Sequence, residues 1–173
     1  IFDVTFLKQI LTQITWDVEV HFLDSSIFYP EYNGIYDEVG PAHIFALNIE
    51  GEGFRMRQCF KEGKIDFDGY DSCFEKLCAE ESESCIFHVA ILRFMMGSEQ
   101  YIPYLRTHDL TSYLHGYKDI CAMVEKLLKK ECLGQSDLNR LIFMEMDLET
   151  RTQLMELKNK MFKSSSTYSF EDF

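Results

Sequence analysis

The sequence has little of what marks a membrane protein or a string of linked domains. It contains 3 prolines in 173 residues, and no stretch rich in glycine and serine precedes Ser164. The longest apolar run, residues 84–96, is interrupted by His88 and Arg93 and is too short to cross a bilayer. With 46% apolar residues, the chain is predicted to form one compact domain, residues 1–163, followed by a flexible tail, residues 164–173.

Positive charge is scarce. The chain carries 17 basic and 29 acidic residues, for a formal net charge of −12, and such a domain repels the phosphate backbone of nucleic acids. The densest basic clusters are Arg55 with Arg57, and Lys126, Lys129 and Lys130 at the end of a predicted helix, where cations are favoured. Neither cluster is large, so we expect a protein partner rather than a nucleic acid or a membrane.

Catalytic and metal-binding motifs are missing as well. The sequence holds no nucleophile elbow, phosphate-binding loop, dinucleotide-binding glycine pattern or zinc-protease helix. Cys78, Cys85 and His88 come nearest to a metal cluster, but their spacing differs from the close ligand pairs of zinc sites. Cys85 and His88 are also the best catalytic pair. We therefore predict no metal, no cofactor and no enzymatic activity, with a small cysteine-dependent enzyme as an alternative.

The cysteines lack the arrangement of a secreted or zinc-binding domain. No tandem CxxC pair is present, and the residues fall mostly inside predicted helices or strands. They are Cys59, Cys73, Cys78, Cys85, Cys121 and Cys132. This usage predicts reduced thiols in a cytoplasmic or nuclear protein. Because the chain begins at Ile1 rather than at a methionine, we expect it to be part of a larger protein.

The clearest feature that is present is strand-like alternation. Residues 44–50 and 54–60 alternate apolar and polar side chains, and the glycines at positions 51 and 53 predict a β-hairpin between them. Residues 17–23 repeat the alternation. Three such segments predict a three-stranded antiparallel sheet with one apolar face and one exposed face.

Helical periodicity supplies the cover for that sheet. Apolar residues at helical spacing predict helices over residues 6–14 and 70–78. Residues 86–96 are apolar almost all round, which is typical of a buried helix, and Ser82 or Ser84 is its predicted cap. A long amphipathic pattern spans residues 110–128. The fold class is therefore α+β. It has an αβββα layer over residues 1–80, with the three-stranded sheet, and then a C-terminal helical layer of three to four helices over residues 84–163.

Ser136 is predicted to cap the last helix, which starts at Asp137, and a break near Asp147 would divide it. Along it, apolar residues recur every seven positions at Leu141, Leu148, Met155 and Phe162. Charged residues interrupt the second seam position, so the pattern is not that of a strict coiled coil. The helix therefore packs on its own domain or docks on a second chain.

Residues 24–41 are predicted to form a long connection that mixes aromatic and acidic side chains. Long loops of this kind are packed down or used for binding, and the acidic-aromatic composition favours a protein partner. The candidate partner-binding residues are Phe28, Tyr29, Tyr32 and Tyr36 of this loop, Arg55 and Arg57 on the exposed face of the sheet, and Leu141, Leu148, Met155 and Phe162 of the last helix.

The αβββα order over the first 80 residues resembles a double-stranded-RNA-binding domain. Gly40-Pro41-Ala42-His43 before the second strand is similar to that family's minor-groove loop, and Gly51-Glu52-Gly53 fits its turn. Residues 67–72, FDGYDS, stand where the family has a lysine-rich helix start. The resemblance therefore implies a degenerate member that dimerises or binds proteins. The order is similar to that of RWD-type interaction domains as well.

These observations favour a non-catalytic protein-interaction or dimerisation domain of a larger intracellular scaffold or adaptor. The expected partner is another protein, a second copy of the chain, or both. A degenerate RNA-binding module that uses His43, Arg55 and Arg57 is a second alternative, beside the cysteine-dependent enzyme.

Overall fold

The computed structural model describes residues 4–39 and 44–163, and for residues 35–39, 44–48 and 50 it describes the backbone alone. These residues belong to two compact units that divide between Glu99 and Gln100. Unit 1 mixes helices with strands, and the regular elements described for unit 2 are helical. The predicted tail, residues 164–173, lies outside the described residues, and the single-domain organisation stays a prediction.

Unit 1 contains five α-helices and six short strands in the described residues. In chain order they are α1 (Val4–Leu11), β1 (Val18–His21), β2 (Ser26–Tyr29), β3 (Asn33–Val39), β4 (Ile44–Glu50), α2 (Gly53–Met56), β5 (Phe60–Lys61), β6 (Lys64–Ile65), α3 (Phe67–Ser72), α4 (Phe74–Glu80) and α5 (Glu83–Met95). The α+β class is therefore confirmed.

The predicted three-stranded sheet is wrong. The described strands pair two at a time in antiparallel ladders, β1 with β2, β3 with β4 and β5 with β6. The partner of β4 is β3, in a register that runs from Asn33 opposite Glu50 to Val39 opposite Ile44. Both β2 and β3 lie in the segment that we predicted to be a long loop, so much of the aromatic connection is extended strand.

The predicted second hairpin arm, residues 54–60, begins instead with the helical turn α2. The backbone at Gly53 lies so close to the connection between β2 and β3 that a Cβ at Gly53 would overlap the Pro30 carbonyl oxygen. Arg57 Nη1 donates to Gly53 O at 2.9 Å, and Met56 and Arg57 are both buried. Strand alternation would have placed these neighbours on opposite faces, so tertiary contacts override the local pattern.

The all-round apolar helix is confirmed as α5. Ser82 caps it as predicted, because its hydroxyl accepts a hydrogen bond from Cys85 N at 3.3 Å. Between Ile86 and Phe94, His88 is the one residue that is not buried. The helix packs on β2, where Ile27 and Tyr29 are fully buried, and this packing forms the core of unit 1.

A 3₁₀ turn, Glu99–Tyr101, leads into the helices of unit 2. These are α6 (Ile102–Thr107), α7 (Thr111–Leu114), α8 (Ile120–Lys129), α9 (Gln135–Met144) and α10 (Leu148–Met161). The described part of the chain from Glu83 onward thus has more helices than the three to four predicted.

The long helix over residues 110–128 is divided into α7 and α8. Gly116 lies between them with a φ of +92°, a left-handed conformation that ends a helix and that glycine adopts at no steric cost. The break at Asp147 is confirmed. The Asp147 carboxylate accepts from Thr150 N at 2.8 Å and caps α10, which packs on α8 and α9.

Candidate functional site

A buried arginine fixes the backbone around the main cleft of unit 1. Arg57 is fully buried. Its guanidinium donates to the carbonyl oxygens of Pro30, Gly53 and Trp16, the last at 2.7 Å. It also lies 5.0 Å from the centroid of the Tyr32 ring. Three chain segments are thereby held together by one side chain.

The cleft beside this anchor has a volume of about 730 Å³, within the range of ligand-binding pockets. Its lining comes from the ends of β3 and β4, from α2 and from the end of α4. The lining residues are Glu31, Tyr32, Asn33, Ile49, Gly51, Glu52, Phe54, Arg55, Glu80 and Glu81. Tyr32 and Phe54 form an edge-to-face ring pair with centroids 5.2 Å apart.

The charge of the cleft is predominantly negative. Arg55 is paired with Glu52 at 3.1 Å, and Lys76 approaches the same carboxylate at 3.8 Å. Burial raises the pKa of Glu81, and the negative charges of Glu31, Asp17 and Glu80 raise it further. Carboxylates that disfavour each other's ionisation in this way would be stabilised by a cationic ligand.

In unit 2 the notable surface is apolar. Phe143, Met146, Leu148 and Met155 are 86%, 83%, 74% and 51% exposed, and we call these four residues the apolar surface. Leu148 and Met155 lie two turns apart on the same side of α10. Leu154 and Leu157, on the opposite side, are buried. A concentration of large exposed apolar side chains is typical of interaction sites.

The segment that carries the apolar surface is well anchored. Glu145, between α9 and α10, is buried. Its carbonyl oxygen accepts from Arg151 Nε at 2.9 Å, and its carboxylate accepts from Asp147 N at 2.9 Å. The exposure of Met146 and Leu148 therefore follows from a defined connection between two packed helices.

Unit 1 exposes large apolar residues as well, but they are not part of the cleft lining. Phe6 and Ile10 lie on α1, Trp16 precedes β1, and Leu23 lies in the turn between β1 and β2. They belong to three separate segments of the chain. Isolated exposed apolar residues are normal on protein surfaces, so we give them no functional weight.

The structure separates the candidates of the aromatic loop. Tyr32 and Arg55 line the cleft, whereas Tyr29 is buried and Phe28 is half-buried with its ring 4.4 Å from that of His88. The side chain of Tyr36 and residues 40–43, including His43, lie outside the described residues.

The prediction that Arg57 lies on an exposed sheet face is wrong. The side chain is buried, and its guanidinium donates hydrogen bonds to backbone carbonyls in the interior. The sequence offered no signal for this, since Arg55 and Arg57 occupy equivalent positions in the alternating pattern.

The heptad candidates also separate. Leu141 is buried in α9, while Leu148 and Met155 belong to the apolar surface. Phe162, the residue that follows α10, is half-buried. The sequence analysis missed Phe143 and Met146, because they fall outside the heptad positions. Two apolar residues close to the predicted break near Asp147 could have indicated that this part of the chain is exposed.

Of the catalytic candidates Cys85 and His88, the cysteine has a pKa above that of an activated nucleophile. Burial and the carboxylates of Glu81, Asp17 and Glu31 raise the pKa of Cys85 to about 12, so the thiol is protonated near neutral pH. A thiolate is the reactive form of cysteine. Within the described ranges, no group of His, Cys, Asp and Glu side chains is arranged to hold a metal ion.

No helix among residues 4–39 and 44–163 is both long enough and apolar enough to span a bilayer.

Comparison with models of protein families, with curated proteins and with solved structures finds no match to this chain. The resemblance of the first 80 residues to a degenerate double-stranded-RNA-binding domain therefore stays a prediction.

Proposed function

We propose that this chain is a non-catalytic protein-interaction and dimerisation domain of a larger intracellular scaffold, and that two copies associate through the apolar surface. The observation that carries the proposal is the exposure of Phe143, Met146, Leu148 and Met155 on an anchored helix pair. Covering such side chains removes apolar area from water, at roughly 25 cal/mol per Å². The six unpaired cysteines agree with a cytoplasmic or nuclear location.

The charges along α10 favour a second copy as the occupant of the apolar surface. Glu149 lies in the first turn of the helix and Lys158 lies in the last, while Lys160, also in the last turn, is paired with Glu125 of the same chain at 2.9 Å. When two copies of such a helix pair antiparallel, the acidic end of each lies beside the basic end of the other. A twofold interface of this kind uses the same patch on both copies.

Sedimentation velocity on single substitutions tests this interface. Leu148→Asp and Met155→Asp each add a charge to the apolar surface, and we expect each to weaken dimerisation at least tenfold. Gln153→Asp adds the same charge at an exposed polar position of α10 and is expected to leave dimerisation nearly unchanged. Because all three positions are exposed, the variants should keep the wild-type melting temperature. Equal dimerisation by all four proteins would contradict the proposal.

The cleft of unit 1 supports a second candidate function, the binding of a basic segment of a partner protein. The observation that favours it is the charge of the described cleft lining, in which Glu31, Glu52, Glu80 and Glu81 accompany Arg55 as the one basic residue. A lysine or arginine side chain entering the cleft would meet those carboxylates and the Tyr32–Phe54 ring pair, which can accept a cation–π contact.

Calorimetric titration with an oligolysine and an oligoarginine peptide tests the second candidate. Binding is expected to weaken as salt is added, because the attraction is electrostatic. Glu81→Gln should weaken binding several-fold. Glu75→Gln removes a charge from an exposed position of α4 outside the cleft lining and should have little effect. Equal weakening by both substitutions would show that net charge, rather than the cleft, attracts the peptides.

The RNA-binding alternative has weaker support. Of the three residues that it used, Arg55 is paired with Glu52 and Arg57 is buried, while His43 lies outside the described residues. Salt-sensitive binding of duplex RNA would favour that alternative. Rapid labelling of Cys85 by a thiol reagent, at a pH well below the ordinary pKa of a cysteine, would favour the alternative of a cysteine-dependent enzyme.

A further inference from the structure

Two thiols of unit 1 lie around the same residue, Gly69. Cys59 lies in the turn between α2 and β5 and is half-buried, and Cys73 joins α3 to α4 and is buried. A hydrogen bond between their side chains is the largest cause of the raised pKa of Cys59 and of the lowered pKa of Cys73. The lowered value belongs to the thiol that accepts this hydrogen bond, because the contact stabilises its thiolate form.

Both sulfurs also approach Gly69. Cys73 Sγ lies 3.5 Å from Gly69 O, and a Cβ added at Gly69 would lie 3.4 Å from Cys59 Sγ and 2.7 Å from Asp66 Oδ2. The glycine therefore leaves room for the pair. For Cys78, Cys85, Cys121 and Cys132, burial is the first cause of the raised pKa and no thiol contributes.

We propose that Cys59 and Cys73 are a redox-sensitive dithiol that closes to a disulfide when the chain meets a peroxide. The sulfur of Cys73, whose thiolate form the Cys59 thiol stabilises, is oxidised to a sulfenic acid while the peroxide is reduced and its second oxygen leaves as water. The Cys59 sulfur then displaces the hydroxyl group as a second water, and the S–S bond forms. In total, two thiols and one hydrogen peroxide give one disulfide and two waters.

The disulfide would join two separate parts of unit 1, the turn after α2 and the junction of α3 with α4. It would also remove the Cys59 proton, which bonds either Cys73 Sγ or the carbonyl oxygen of Arg55 at 3.3 Å, and Arg55 is a residue of the cleft lining. Because a cross-link restricts the unfolded chain, oxidation is expected to raise the melting temperature of unit 1.

The test is peptide mapping of the reduced full chain after treatment with hydrogen peroxide. Blocking the remaining thiols with N-ethylmaleimide should modify four of the six cysteines. Digestion with trypsin should yield residues 58–61 linked to residues 65–76, and dithiothreitol should release them. Failure to form this linked pair, or a first disulfide between any other two cysteines, would overturn the proposal.

Matched variants keep the test decisive. Cys59→Ser, at the half-buried position, should abolish the cross-link and the oxidation-dependent rise in melting temperature. Cys78→Ser, which removes an exposed cysteine, should preserve both. If Cys73 is instead converted to a sulfinic acid while Cys59 stays reduced, the two sulfurs do not reach each other and the proposal is wrong.

Discussion

The two units of this chain differ in how they treat their carboxylates. In unit 2 a hydroxyl and a guanidinium lower the pKa of Asp109, two ammonium groups lower that of Glu125, and a helix N-terminus lowers that of Asp147. In unit 1 the pKa of Glu81 is raised by burial and by neighbouring negative charges. Opposite shifts of one chemical group show that unit 1 concentrates negative charge in a cleft, whereas unit 2 balances it.

Apolar side chains show the reverse contrast. The core of unit 1 closes over the rings of Tyr29, Tyr70 and Phe87, and its cleft is acidic. Unit 2 leaves four large apolar residues exposed on α9, α10 and the connection between them, whereas those that unit 1 exposes belong to three separate segments. The proposed interaction of unit 1 is electrostatic and that of unit 2 is hydrophobic, so salt should act oppositely on the two. It should weaken the binding of a basic peptide and strengthen self-association, since copies with a net charge of −12 repel each other.

The largest expected effect is on the anchor of unit 1. Arg57→Ala removes the guanidinium donor of Pro30 O and Trp16 O, while Gly53 O keeps the backbone N–H of residue 57. The substitution also opens a cavity, so unfolding should become easier by about 4 kcal/mol. Arg55→Ala removes an exposed side chain and should cost below about 1 kcal/mol. Denaturant unfolding of both variants measures the difference. Similar costs at the two positions would contradict the inward placement of Arg57.

A smaller pair of effects is expected on α10. Leu154 is fully buried, so Leu154→Ala should destabilise unit 2 by about 3 kcal/mol. Met155→Ala, at the next residue, should change the stability of the monomer by below about 0.5 kcal/mol and weaken dimerisation. The comparison fails if Met155→Ala is the more destabilising substitution at a concentration where the chain is monomeric.

The smallest effects concern pH. The folded pKa of Glu81 lies above its ordinary value, so its favourable contribution is complete in acid and is lost as the pH rises through that folded value. Glu81→Gln should therefore stabilise unit 1 near neutral pH, by up to about 1 kcal/mol, and should have little effect below about pH 4.

Asp109 should behave in the opposite way. Its folded pKa lies below its ordinary value, so its contribution is present above the ordinary value and is lost as the pH falls through the folded one. Asp109→Asn should destabilise unit 2 near neutral pH by below about 1 kcal/mol, with no effect in strong acid. Melting temperatures of both variants across the acid range test the pair, and shifts of the same sign near neutral pH would break the comparison.

Local signals were sufficient for several elements. The all-round apolar run with Ser82 before it predicted α5, and an aspartate at a break in the apolar pattern predicted the start of α10. These features depend on capping and periodicity, which are properties of neighbouring residues. Strand β4 was predicted for the same reason, from alternation within one segment.

The pairing of the strands and the cleft depended on distant residues. Residues 54–60 alternate like a strand, but the segment begins with the helical turn α2. The close approach of Gly53 to Pro30 and the interior position of Arg57 favour this turn over a strand. The cleft combines residues 31–33, 49–55 and 80–81, and no short-range pattern brings these segments together. Only Tyr32 and Arg55 of that lining were among the predicted contact residues.

The measurement that tests the central claim most directly is the molar mass of the unmodified chain by light scattering, over a wide range of concentration and at two salt concentrations. We predict a rise from the monomer mass of 20.4 kDa towards about twice that value, at lower concentration when salt is added. A mass that stays at that of the monomer throughout would contradict self-association through the apolar surface.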